Sequence, residues 1–155
     1  MTELRFGDQT VLYDRDATIS AYQTMNGGWA DECGCLFCKN FVAQRESVFP
    51  PSFLELLGLL GIDARKEGEA FMNGPVADGC HLYGGWFYLV GELVVAGENA
   101  NIAADSHHFG YFFTRMHPPH KAFGGVPTIG LEFEAHVPWV LPEDPESGWA
   151  KRVTQ

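Results

Sequence analysis

Thr128-Ile129-Gly130-Leu131-Glu132-Phe133-Glu134-Ala135-His136-Val137 alternates without a break. Ile129, Leu131, Phe133, Ala135 and Val137 share one side, and Glu132, Glu134 and His136 share the other. A period of two over this length predicts a half-buried β-strand: one face lies on a core, the other is wetted or lines a cleft. Pro138 and Pro142 end the ladder, because proline donates no backbone hydrogen bond.

Working outward, the segments upstream have the same character. Trp86 to Val95 is aromatic and β-branched, as strands are, and is followed by a turn at Gly97-Glu98-Asn99. His107 to Met116 reads as a further strand, stopped by Pro118 and Pro119. Near the start, residues 3–7 and 10–14 read as a hairpin around Gly7-Asp8-Gln9, and Ala17 to Met25 as a third strand ending at Asn26-Gly27-Gly28. The period between these groups is helical. A short helix is expected from near Cys38 to Arg45. A second follows Pro50-Pro51, with Ser52 and Glu55 as a capping box and Gly61 as its stop. Its run of leucines is apolar nearly all round, which predicts full burial.

Strands, two short helices, then strands predicts an α+β fold. It is a single domain over residues 1–143 with an antiparallel sheet, either a sandwich or a curved sheet, and a loosely ordered tail at 144–155. The length of 155 residues suits one domain, and 46% hydrophobic content supports a sizeable core. The formal net charge of -10 repels phosphate backbones, so nucleic acid is excluded as a first partner, while a basic protein partner fits. Met1 to Asp16 lacks the apolar core of a signal peptide, and no apolar run approaches a membrane span. The expected location is the cytoplasm, where thiols stay reduced and cysteines point to metal or redox chemistry before disulfides.

The chemically loaded stretch is Cys33-Gly34-Cys35-Leu36-Phe37-Cys38, with the fourth cysteine, Cys80, beside His81. Thiolates are soft, strong ligands for Zn(II), and Cys35-x-x-Cys38 brings two of them to one ion from a tight turn. Cys33 joins if Gly34 bends freely. Cys80 is the natural fourth ligand and His81 its substitute, so a structural zinc would tie the N-terminal half to the C-terminal half. Two other readings stand beside it: four inert reduced cysteines, or a redox pair of Cys35 and Cys38 in which a helix N-terminus lowers the thiol pKa of Cys35. Cys33-x-Cys35-x-x-Cys38-Lys39-Asn40-Phe41, Leu60-Gly61-Ile62-Asp63 and Val137-Pro138-Trp139-Val140-Leu141, in that order, resemble a family of small uncharacterised bacterial proteins. That resemblance implies a bacterial cytosolic domain and no particular chemistry.

A second candidate surface is the polar face of Glu132, Glu134 and His136, with Glu92 added if strand register permits. Carboxylates beside an imidazole can do acid–base work, as in a small hydrolase-like enzyme, although an ordinary wet face is the simpler reading. His107-His108 and His117-Pro118-Pro119-His120 read as strand-start and turn residues. No nucleophile elbow, phosphate loop or dinucleotide fingerprint is present. The preferred expectation is therefore a non-enzymatic domain with a structural Zn(II) that acts by binding a protein partner.

Overall fold

The computed structural model describes residues 1–98, 103–106, 108–115 and 119–146. Expectations placed on Asn99, His107, Met116 to Pro118 and the tail beyond residue 146 lie outside the described residues. In chain order the elements are β1 (Thr2–Phe6), β2 (Gln9–Tyr13), α1 (Arg15–Gln23), α2 (Trp29–Cys33), α3 (Leu36–Ala43), α4 (Arg45–Val48) and α5 (Pro51–Leu60). They continue as β3 (Glu69–Pro75), β4 (Cys80–Val95), β5 (Ala103–Ser106), β6 (Phe109–Thr114) and β7 (Thr128–Pro138). The strands form one antiparallel sheet in the order β1-β2-β4-β7-β6-β5, with β3 also on β4. This is the expected α+β arrangement, with more helices than the two foreseen. No helix among the described residues is long and apolar enough to cross a membrane.

The long strand β4 organises the sheet. One edge pairs with β7 from Cys80 to Val90. The other edge is shared: β3 takes His81 to Trp86, and β2 takes Gly91 to Val95. Between them no strand among the described residues covers β4, and α1 with its N-cap Asp14 fills the gap. The Tyr22 hydroxyl donates to Tyr88 O at 2.7 Å and accepts from Tyr88 N at 3.0 Å. Thr18 Oγ1 accepts from Val90 N at 3.0 Å, and Asp14 N donates to Val90 O at 2.9 Å. Buried backbone groups must be paired, and here a helix supplies what a strand would.

The core lies on the inner face of the sheet. Tyr83, Phe87 and Leu89 of β4, Leu131, Phe133 and Val137 of β7, and Phe109, Tyr111 and Phe113 of β6 are all buried. Phe53 of α5 packs among them, with its ring 4.9 Å from Phe109 and 4.8 Å from Tyr111. The sheet curls until β1 meets β6: Phe6 stacks on Tyr111 at 5.1 Å. The buried Gln9 amide holds this curl, accepting from Phe113 N at 2.9 Å and donating to Phe113 O at 2.8 Å. Of the two sheet forms expected, the curved one is found.

Three local expectations are corrected. Ala17 to Met25 is not a strand, since most of it lies in α1. Asp14 caps that helix by accepting from Ala17 N at 3.0 Å, and Thr18, Ala21 and Tyr22 are buried at helical spacing. Ser52 is not a cap: α5 begins at Pro51, whose fixed φ and missing N–H suit the first helical position, so the Ser52–Glu55 box does not form. Nor is α5 buried all round. Phe53, Leu57 and Leu60 face inward, whereas Leu54 and Leu59 are exposed. The hairpin forms as expected, with Phe6 opposite Gln9, and Gly61 ends α5 in the left-handed region.

Tyr22→Phe should leave the buried Tyr88 amide and carbonyl unpaired. The expected cost is about 2 kcal/mol in urea denaturation with an unchanged m-value, together with faster hydrogen exchange at the Tyr88 amide.

Candidate metal centre

The three clustered cysteines sit where two helices meet. Cys33 is the last residue of α2, and Gly34 follows in the left-handed region at φ 64°. A side chain there would be strained, so glycine lets the chain turn sharply between two ligands. Cys35 is the N-cap of α3, and its Sγ accepts from Cys38 N at 3.4 Å. Cys38 occupies the first turn of α3 and is buried, Cys35 is half-buried and Cys33 is exposed. One ligand atom from each lies within 4.8 Å of the other two. Burial, and then hydrogen bonding and charge from Cys33 and Cys35, push the Cys38 thiol well up.

Behind the cluster is a polar clamp that the sequence did not announce. Tyr83 of β4 donates to Phe37 O at 2.7 Å, inside the helix that carries Cys38. Burial chiefly, with the nearby Cys38 and Cys35, raises the Tyr83 hydroxyl, so it remains a protonated donor. Asn40 has no exposed surface. Its Nδ2 donates to Pro138 O at 3.0 Å, and its Oδ1 accepts from Val140 N at 2.9 Å. Phe37 adds an edge contact to the Trp139 ring at 5.9 Å. The cysteine-bearing segment and the Pro138–Val140 segment are thus one assembly, joined through Asn40.

A second device fixes α2. Its start receives Glu67, whose backbone O accepts from Trp29 N at 3.0 Å and whose Oε1 accepts from Ala30 N at 2.9 Å. Arg45 Nη2 donates to Glu67 Oε1 at 2.9 Å and to Asp31 Oδ2 at 3.2 Å. The Glu67 side chain is fully buried. Burial raises its carboxyl pKa, against the opposing pull of the Ala30 amide and Arg45. Gly28 is required here, since a Cβ would stand 2.5 Å from both Glu67 carboxylate oxygens.

The residues expected as fourth ligand lie outside this cluster. Among the described residues, Cys33, Cys35 and Cys38 form the only group of three or more such ligand atoms within 4.8 Å, and neither Cys80 nor His81 belongs to it. Strand alternation separates that dipeptide, sending the two side chains to opposite faces of β4. His81 turns inward with Tyr83, but the rings of Phe37 (6.5 Å) and Trp139 (5.4 Å) pack against it. Its Nδ1 is buried without a hydrogen-bond partner among the described residues, and burial lowers its pKa. Cys80 Sγ contacts Asp78 O at 3.8 Å.

The polar strand face is as the alternation predicts: Glu132 and His136 are half-buried and Glu134 is exposed. His136 faces the His108 ring at 5.0 Å. Glu132 stands opposite Trp86 and Glu134 opposite Gly84, while Glu92 pairs with Leu12. Glu92 is six residues along β4 from Trp86, so it shares that face but stands about 20 Å away at strand rise and does not join the group. Among the described residues, these carboxylates form no cluster of three ligand atoms.

Comparison of the chain with protein-family models, curated proteins and solved structures finds no significant match in any of the three. The site is therefore read from its own chemistry: three soft donors on one helix–helix corner, held from behind by Tyr83, Asn40 and the Glu67–Arg45 pair.

Asn40→Leu should leave the Val140 amide and Pro138 carbonyl without this partner. The expected loss is about 3 kcal/mol of stability by chemical denaturation, with rapid hydrogen exchange at Val140.

Proposed function

We propose that this chain is a zinc-binding α+β domain in which Cys33, Cys35 and Cys38 hold one Zn(II) as thiolates. The observation that carries this reading is the mutual approach of their ligand atoms within 4.8 Å. Sulfurs around tetrahedral zinc lie about 3.8 Å apart at the usual Zn–S length, so the site needs only a small closure. Three adjacent thiols repel one another once ionised. A divalent cation removes that repulsion and displaces the protons, Cys38's included. The ion fastens the α2–α3 corner and the residues it presents. It does not tie the two halves of the chain, a task that falls to Asn40 and Tyr83.

The rest of the reading concerns what the corner serves. A net charge of -10 and the exposed Leu54 and Leu59 on α5 support association with a basic protein partner. Free cysteines throughout suit a reducing, cytoplasmic setting. The resemblance to small bacterial proteins fits the same setting.

Elemental analysis of protein purified without chelator should give one zinc per chain. Cys33→Ser, Cys35→Ser and Cys38→Ser should each lose most of it, while Cys80→Ser and His81→Asn keep it. Metal-free wild type with all its thiols titratable would overturn the assignment. Loss of zinc in Cys80→Ser would restore Cys80 as a ligand.

A further inference from the structure

The protein does not close over the three thiols. A cavity of about 250 Å3 lies between the α2–α3 corner and β3, and Cys33, Cys35 and Cys38 all line it. Its other walls include Trp29, Phe41, Ala70, Met72 and Tyr83. Glu69 and Phe71 also border it, but strand alternation turns them away from Ala70 and Met72. The Phe71 ring accordingly packs 6.1 Å from Trp86. Among the described residues, no fourth His, Cys, Asp or Glu donor joins the three sulfurs within 4.8 Å. A four-coordinate ion on these thiolates would turn its last position towards a mostly apolar chamber.

Building on the zinc reading above, we infer that this open position takes a small organic thiol. Its sulfur completes the coordination and its apolar body fills the cavity. The donor must be soft to match the other three, and the body must be apolar to match Phe41, Met72 and Trp29. The size is suitable, since a cavity of about 150 Å3 already accommodates benzene. On binding, a metal–sulfur bond forms and the thiol proton passes to solvent, with nothing oxidised or reduced. The start of α3 favours the added negative charge, because its first-turn Cys38 amide already donates to Cys35 Sγ. Trp29, 45% exposed, stands at the mouth of the cavity and would cover the ligand. The centre is then a receptor for thiols and not a closed structural staple.

The test uses the full chain loaded with Co(II), whose thiolate charge-transfer band reports the number of sulfur ligands. Titration with phenylmethanethiol should raise that band by roughly one third, in proportion to a fourth thiolate, and saturate at one per chain. Trp29→Ala removes an exposed side chain and keeps the backbone amide that bonds Glu67. It should weaken phenylmethanethiol about tenfold, shift 2-mercaptoethanol less than about twofold, and leave Co(II) affinity unchanged. A four-thiolate spectrum before any thiol is added would overturn the inference, as would a spectrum indifferent to both thiols; the zinc reading survives either result. Failure to bind Co(II) at all would instead overturn the zinc reading, and the inference with it.

Discussion

A buried amide must spend all its hydrogen bonds inside the protein, and Asn40 does so across the whole fold. Its two ends are claimed by Pro138 O and Val140 N, and the Tyr83 hydroxyl is within reach of its Nδ2 at 3.4 Å. Partners this specific allow one placement of α3 on the sheet. Once α3 is placed, the Phe41 ring stacks on Tyr83 at 5.9 Å and on Phe133 at 6.2 Å, and the three thiols come to rest above β3. The cysteine corner is thus a consequence of core packing.

The same economy holds α2. A helix of five residues has almost no intrinsic stability, and its unpaired amides are expensive to bury. Glu67 meets that cost from the far side of α5, and Arg45 compensates the buried charge. Removing one member of such a pair leaves the other uncompensated, which is worse than lacking both. Cys33 therefore depends on an ion pair distant from it in sequence. Within the same helix, Trp29, Ala30 and Asp31 are the links between the two.

How much of this was legible varied with the range of the interactions. The alternation in β7 and the Gly7-Asp8 hairpin are local patterns, and the structure reproduces them. The cysteine triad was legible for the same reason, with all three ligands in one short stretch. Ala17 to Met25 was misread because a loose alternation suggests a strand, whereas Asp14 caps a helix whose buried residues, Thr18, Ala21 and Tyr22, fall at helical spacing. Ser52 was misread because Pro51 starts the helix one residue earlier. Cys80 was named as the fourth ligand because it is the one remaining cysteine, with His81 as its substitute, and where β4 places them is set by long-range pairing that leaves no local trace. Asn40, Tyr83, Glu67 and Arg45 went unnoticed because their roles arise only from long-range contacts. A buried charged pair leaves no periodic trace.

The Gln9 amide has a consequence beyond shaping the curl. An exposed strand edge offers unpaired N–H and C=O groups to any other extended chain, which is how sheets aggregate. The second half of β6, with its run of aromatics, would be such an edge. Gln9 occupies it like one rung of a missing strand, satisfying both the donor and the acceptor of Phe113. A single polar side chain thus shields an aggregation-prone segment that a further strand would otherwise have had to cover.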